Sequence, residues 1–381
     1  MLGDETRFYQ VVTTFSVKDG GPSRHAMEVN FALNQLGLHV QLIAVRSATQ
    51  SVIDEASERL DFPTSAPMTV REISRLRRPL PLRMRPFFAA DAWILHGYYL
   101  MWLPPVVLLA KLLSIPIFVM PHGSLTAFDR KKSRFKKLAF RYLWFGWLID
   151  RSAVFIVASA LEAEELPSSI DCRHVHIVGA GAQLPADAIG DRPAHRPLEL
   201  VSLSRIAPKK RIDLCIRAVS ILARAGFMVR LSVAGDGDPA EVSRLEKIAR
   251  DLGVIPHVRF VGHVSGVEKE RLLSESDIFL LPSDDENFGI AVAEAMAHGL
   301  PVVVSARVGA AEGVPDDAGA VLRDPSAADI AEAIMRLTDE YGFHRERALR
   351  FAQRTFSWRA VGERWLSAIE ATVDCVDTPG R

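Results

Sequence analysis

The chain has 381 residues, 49% of them hydrophobic and 24% charged, with 46 basic and 46 acidic side chains. That length and apolar content fit two soluble domains with separate cores, and a net charge of zero excludes a global field that would draw in nucleic acid. Cys172, Cys215 and Cys375 are too few and too widely spaced for a disulfide framework or a zinc site, and reduced cytoplasmic thiols are expected.

The opening residues, MLGDETRFYQ, carry acids and no apolar run, so no secretory signal is expected. Residues 8–15 read as a buried strand and lead into the turn-rich stretch SVKDGGPS. Ser23 is placed to cap a helix over 24–36 that stops at Gly37, and 39–45 forms the next strand. A glycine loop thus falls at the carboxyl end of a strand, where open α/β sheets bind ligands. It lacks the G-x-G-x-x-G dinucleotide fingerprint, and Gly20 and Gly21 alone also suit a plain tight turn.

Residues 71–86, REISRLRRPLPLRMRP, are expected to form a loop or a short mobile helix. They suit either a solvated surface or a contact with an acceptor or lipid headgroup. From 71 to 141 there are fourteen Arg and Lys against three acids, a basic region on a neutral chain. Residues 98–120 are very apolar, but Pro104, Pro105, Lys111 and Pro116 fit a buried helix and strand better than a membrane span. Two strands, 92–95 and 115–120, each end in a histidine and a glycine: His96-Gly97 and His122-Gly123. Residues 129–149, DRKKSRFKKLAFRYLWFGWLI, begin basic and end aromatic. Phe135, Leu138, Tyr142 and Phe145 share one helical stripe, and Phe140, Trp144 and Trp147 form a second. This segment reads as a core helix with a solvated basic end or as a membrane-interface helix.

Strands follow at 154–158 and 174–178. The Gly-, Pro- and Ala-rich stretch GAGAQLPADAIGDRPAHRP marks a linker. The expected domains are 1–182 and 198–381, joined by 183–197, with a last helix near 357–373 that packs back on the first domain. The second half alternates again. Strands at 198–203, 229–234 and 258–261 are interleaved with helices at 212–225, 240–252 and 267–274. Helices at 327–338, 343–353 and 358–371 close the chain. The expected fold is α/β, two Rossmann-like doubly wound domains facing a central cleft.

One stretch dominates the second half. A strand at 277–281 runs into PSDDENFGIAVAEAMAHGLPVVVS. Acids and an Asn287-Phe288-Gly289 turn precede a helix over 290–298, which Gly299 and Pro301 end before a strand at 302–305. Glu286 falls in the loop and Glu294 on the helix. The helix start around Phe288, Gly289 and Ile290 offers unpaired N–H groups to an anion. Upstream, Arg205, Pro208, Lys210 and Asp213 spell R-x-x-P-x-K-x-x-D on the loop after the first strand of this half. Asp236-Gly-Asp238 matches D-x-D in letters but sits at the tip of a strand, and it reads as a loop rather than a metal site.

These segments resemble the E-x7-E and R-x-x-P-x-K motifs of retaining glycosyltransferases of family 4, glycosyl transferases group 1, which have the GT-B architecture. The resemblance covers nearly the whole chain and is tightest in the second half. It implies transfer of a sugar from a nucleotide-diphosphate donor, such as a UDP- or GDP-sugar, with retention and no metal. It implies that Arg205 and Lys210 hold the diphosphate and that Glu294 accepts from the ribose hydroxyls. Glu286 and His122 would lie by the donor sugar, Gly20 and Gly21 against the diphosphate and sugar, and Gly262 and His263 by the base. Asn287, Phe288, Gly289 and Ile290 complete the donor site. Arg211 stands where the family usually has a small glycine, and either adds a phosphate contact or crowds the site. The implied acceptor is a glycan or polyprenyl-linked molecule of bacterial surface polysaccharide synthesis, met at the cytoplasmic membrane face through 71–86 and 129–149. Two rivals are a sugar-nucleotide epimerase of the same architecture and a pseudoenzyme that only binds nucleotide sugars.

Overall fold

A computed structural model describes residues 7–15, 21–48, 70–72, 90–126, 137, 139–140, 145–185 and 192–376. The chain divides into two compact units, 1–180 with 358–381, and 181–357.

The first unit holds a seven-stranded sheet in the order β3-β2-β1-β4-β5-β6-β7. Its strands are β1 (Arg7–Phe15), β2 (His39–Ala48), β3 (Val70–Glu72), β4 (Ala92–His96), β5 (Ile117–Met120), β6 (Val154–Val157) and β7 (Val175–Ile177). Every pairing is parallel. The helices are α1 (Gly21–Gln35), α2 (Leu103–Leu112), α3 (Phe145–Ser152) and α4 (Ala160–Glu164). β4, β5 and β6 are buried at every position, as parallel strands covered on both faces must be. The sheet separates two apolar layers. One gathers Trp93, Tyr98, Val107 and Phe155, and the other gathers Phe8, Leu33, Phe118 and Trp365.

The second unit holds a six-stranded parallel sheet in the order β10-β9-β8-β11-β12-β13. Its strands are β8 (Leu198–Leu203), β9 (Val229–Ala234), β10 (Val258–Gly262), β11 (Ile278–Leu281), β12 (Val302–Ser305) and β13 (Gly319–Leu322). Its helices are α5 (Ile212–Arg224), α6 (Pro239–Asp251), α7 (Gly266–Ser274), α8 (Ile290–Ala297), α9 (Ala327–Asp339) and α10 (Tyr341–Thr355). Asp238 is the N-cap of α6, accepting from the Ala240 N–H, which gives the second acid of the D-x-D letters a local structural role. In both sheets the strand order reverses beside the first strand, between β1 and β4 and between β8 and β11. Ligands of open α/β sheets bind outside the carboxyl ends at such points.

Several expectations are revised. Gly21 and Ser23 belong to the first turn of α1, so Ser23 does not cap a helix that starts later. β3 starts at Val70 and runs into the Arg- and Pro-rich stretch, and β13 had no expected counterpart. The end of the expected linker is tied to the second unit. The buried Asp277 carboxylate accepts from Arg192 Nη1 at 2.6 Å and from the His195 and Glu199 N–H groups at 3.1 and 2.8 Å. The last helix, α11 (Trp358–Val376), belongs to the first unit. Gly362 lets it approach α1 closely, since a Cβ there would lie 2.9 Å from Leu36 Cδ1. The second stripe expected over 129–149 does not persist as drawn, because Phe140 is buried in the core while Trp147 is exposed, and the side chains of the first stripe lie outside the described residues. Phe135, Leu138, Tyr142 and Trp144 lie outside the described residues, as do Gly20 and 73–86.

Candidate active site

The second unit builds its site from the loops that follow β8 and β11. After β8 the chain passes exposed Arg205, buries Ile206 and makes a short 3-10 turn, Pro208–Lys210. This turn is joined to the loop after β11. The Lys209 carbonyl accepts from the Asp284 N–H at 2.8 Å and the Ser283 hydroxyl at 3.0 Å, and Lys209 Nζ meets Asp285 at 2.9 Å. These contacts hold the buried Lys210 ammonium against the Glu286 carboxylate as an ion pair. Burial lowers the Lys210 pKa to about 8, with the Lys209 charge adding to the drop and Asp285 opposing it. The Glu286 carboxylate in contact also favours the charged ammonium.

Arg211 adopts the left-handed conformation, φ 53° and ψ 38°, where a β-carbon is costly and glycine is not. Its guanidinium turns to Asp213 at 3.4 Å and Asp284 at 3.3 Å. A small residue suits this position for a backbone reason.

Glu286 is fixed by its own backbone. Its N–H donates to the Arg307 carbonyl at 3.1 Å, and its carbonyl accepts from the Gly309 N–H at 3.2 Å. Phe288 turns its ring into the core, edge-on to Phe356 at 5.9 Å, and its carbonyl accepts from the Ala310 N–H. Gly289 opens α8 at φ 88° with no side-chain cap. A Cβ there would lie 2.8 Å from Val308 Cγ1 and 3.3 Å from Glu286 Cγ, so glycine is required at this bend. The first turn of α8 therefore presents N–H groups beside Asn287 and Ile290, an arrangement that favours an anion. Glu294, one turn along α8, is largely buried and ion-paired with Lys269 of α7, whose Nζ is 2.5 Å from Oε1. Lys269 went unnoticed in the sequence, since nothing local links residues 269 and 294.

Gly262 ends β10 and His263 follows it, both exposed, with Gly262 at φ 79°. They join the same rim. The Gly262 carbonyl accepts from the Gly235 N–H at 2.7 Å, and Gly235 is pressed so closely on the Ser204 carbonyl that no Cβ would fit. His263 Nδ1 lies 3.3 Å from Asp236, with both side chains exposed. Among the described residues no three His, Cys, Asp or Glu side chains gather as a metal-binding group.

The first unit brings together residues that the sequence reading considered singly. His122 adopts φ 53° and Gly123 φ 73°, two consecutive left-handed residues. The turn is pinned by Glu162, a buried carboxylate that accepts from the Gly123 N–H at 2.6 Å and the Ala158 N–H at 2.9 Å. His96 Nδ1 lies 2.8 Å from His122 Nε2, and His25 of α1 stands edge-on to His122 with ring centroids 5.5 Å apart. Burial keeps all three rings neutral at pH 7. It lowers His25 to about 4, His122 to about 3 and His96 well below its usual value, with neighbouring histidines adding to the last two. His25 and Glu162 carried no signal in the sequence beyond being polar residues on apolar elements.

Comparison with known proteins decides the family. Residues 20–181 match the model of the glycosyl transferase 4-like domain, and residues 191–358 match that of glycosyl transferases group 1. The chain is a group 1 glycosyltransferase of GT-B architecture. This glycosyltransferase is 27% identical to the D-inositol 3-phosphate glycosyltransferase of Corynebacterium aurimucosum, over 94% of this chain and 93% of that protein. It is 32% identical to the GDP-mannose-dependent alpha-(1-6)-phosphatidylinositol dimannoside mannosyltransferase of Mycobacterium tuberculosis. That alignment spans 47% of this chain and 46% of the relative. The solved structure of Anabaena HepE in complex with UDP superposes with a TM-score of 0.70 at 16% identity, covering 96% of this chain and all of that one.

Proposed function

We propose that this glycosyltransferase moves a sugar from a nucleoside-diphosphate donor to a hydroxyl of a glycan or lipid-linked acceptor, with retention at the anomeric carbon. The observation that carries this reading is the Lys210–Glu286 pair at the switch point of the second unit, beside the uncapped start of α8. When the bond from the anomeric carbon to the diphosphate breaks, its electron pair stays on the diphosphate. Lys210, the guanidinium of Arg205 and the α8 N–H groups then stabilise the added charge. The acceptor oxygen bonds to the same face of that carbon, and its proton passes to the departing diphosphate oxygen. In this reading these fixed cations make a metal unnecessary. Glu286 orients the sugar, Glu294 accepts from the ribose hydroxyls, and Gly262 and His263 flank the base. In the first unit, His122 meets the sugar.

The relatives' names support a nucleotide sugar as donor, a GDP-sugar in one case and a UDP complex in another. A phosphatidylinositol-linked acceptor in one relative supports a lipid-linked acceptor and a role in bacterial cell-surface glycan synthesis. Among the described residues no helix is long and apolar enough to cross a membrane. Peripheral contact with the cytoplasmic membrane face is therefore the form proposed.

A melting panel with UDP, GDP, ADP, dTDP and NAD, with and without EDTA, tests the reading. A ligand that binds only the folded chain raises its melting temperature. One diphosphate should do so, equally with EDTA, and the rise should vanish in Glu294→Ala. A chain that responds to no diphosphate, or only to NAD, overturns the donor site. A diphosphate response that EDTA abolishes overturns metal independence.

A further inference from the structure

The histidine cluster of the first unit is one end of a hydrogen-bonded relay. Gln10 is fully buried in β1 and places its amide Nε2 2.7 Å from Nε2 of His96, the last residue of the neighbouring β4. His96 in turn places Nδ1 2.8 Å from Nε2 of His122. With the Gln10 amide in this orientation its nitrogen donates, so Nε2 of His96 is the unprotonated, accepting nitrogen. A neutral imidazole carries one N–H. The proton of His96 is therefore on Nδ1, where it is donated to His122 Nε2. By the same rule His122, whose Nε2 accepts, carries its proton on Nδ1. Both rings are neutral at pH 7 because they are withdrawn from water. The backbone of His122 is pinned independently by the Glu162 contacts to Gly123 and Ala158, which leaves the ring little freedom to reorient.

We propose that Gln10 and His96 are positioning residues that fix His122 as its Nδ1–H tautomer, so that it presents a hydrogen-bond donor to an oxygen of the donor sugar. The sugar half of this proposal rests on the reading that His122 meets the donor. The tautomer half stands on the relay alone. The fixed donor selects for a sugar with an accepting oxygen at that point. A sugar lacking it leaves the N–H without a partner, a penalty that makes such sites selective.

The test is nitrogen-15 NMR of the full chain with labelled histidine at pH 7, with His122 and His96 assigned by His122→Gln and His96→Gln. Long-range proton–nitrogen couplings report which ring nitrogen is protonated. Wild type should show both residues as single Nδ1–H tautomers. In Gln10→Leu, or in Gln10→Met if the first variant does not fold, His122 should shift toward the Nε2–H form or a mixture. A purely structural Gln10 would leave that signature unmoved. An Nε2–H or averaged His122 in wild type overturns the relay, as does an Nδ1–H His122 that persists without Gln10. UDP-glucose and GDP-mannose are then compared with UDP and GDP. Whichever sugar nucleotide raises the melting temperature should move the His122 Nδ1 signal, and its bare diphosphate should not. A bound sugar nucleotide that leaves the signal in place overturns the sugar contact. A melting panel with no diphosphate response overturns the donor site while the wild-type tautomer still decides the relay.

Discussion

Lys269 on α7 donates to Glu294 on α8 across 2.5 Å, with side chains only 15% and 11% exposed. A carboxylate has about four acceptor sites on its two oxygens, so pairing with Lys269 is compatible with the proposed acceptance from ribose hydroxyls. The ammonium holds the carboxylate aimed. Lys269→Met should weaken nucleoside diphosphate binding roughly tenfold, about 1.4 kcal/mol, as read by calorimetry. It should also lower stability more than the Lys269→Met/Glu294→Gln double variant does, because removing one partner strands a charge that the double variant lacks. Equal affinity for wild type and Lys269→Met would sink the aiming role.

Lys210 sets a pH limit on the proposed donor site. Its folded pKa, lowered to about 8 chiefly by burial, lies below the ordinary 10.5. Diphosphate affinity should therefore fall as pH rises through about 8, where the free protein loses the ammonium and binding must take up a proton. The stability of the free protein should move the other way. Between about pH 8 and 10.5 the unfolded lysine holds a proton that the folded one has lost, so this group makes stability rise with pH. The charged, buried form imposes its cost below pH 8. Titration calorimetry in buffers of different ionisation enthalpy should detect proton uptake on UDP or GDP binding at pH 9 and little at pH 6.5. Uptake that is the same at both pH values would remove Lys210 as its source.

The pattern of apolar strands and glycine-bounded helices was enough to read both doubly wound sheets, because parallel strands buried on both faces carry continuous Val, Ile, Leu and Phe runs. β11, α8 and β12 fall within a residue of where their sequence places them. β3 was hidden by its length, three residues at the head of an Arg- and Pro-rich stretch, and β13 by the sequence GAVL, which has too few residues to show a period. In the site, motif residues such as Lys210, Glu286 and Gly289 were legible because neighbours in the chain create their setting. Lys269, Glu162, His25 and Gln10 were not. Lys269 meets Glu294, Glu162 meets Gly123, Gln10 meets His96 and His25 meets His122, contacts between residues 25 to 97 apart in the chain, and such contacts leave no local trace.

Arg211 tests whether a departure from the family pattern is functional. Its left-handed φ of 53° costs about 1–2 kcal/mol in a residue with a β-carbon. Glycine would relieve that strain but lose roughly 0.5–1 kcal/mol in chain entropy, and the partly exposed ion pairs to Asp213 and Asp284 contribute little. Arg211→Gly should be between unchanged and about 1 kcal/mol more stable in chemical denaturation. Its diphosphate affinity should be unchanged, since the guanidinium is engaged by the two aspartates. A tenfold loss of affinity would instead make Arg211 a phosphate ligand.

The first unit exposes large apolar side chains on and beside two neighbouring helices. Leu112 is 74% exposed and Trp147 49%, with Leu108 and Leu113 also exposed, on α2 and α3, which pack on each other. Arg151 stacks its guanidinium over the Trp147 ring at 5.2 Å, and Lys111 precedes Leu112. Apolar side chains fringed by cations match an anionic bilayer, where the tails enter the headgroup boundary and the charges meet lipid phosphates. Full-length chain should pellet with phosphatidylglycerol vesicles at low salt. Binding should weaken at 0.5 M salt, where screening shortens the reach of the charges to a few ångströms, about 4–5 Å. Leu112→Glu/Trp147→Glu should lose most of this binding while keeping its melting temperature and its response to diphosphates, since both side chains leave the core untouched. Vesicle binding that survives the double substitution would place the membrane contact elsewhere on the chain. No pelleting of wild type at low salt would remove the membrane from the proposed function and leave a soluble acceptor.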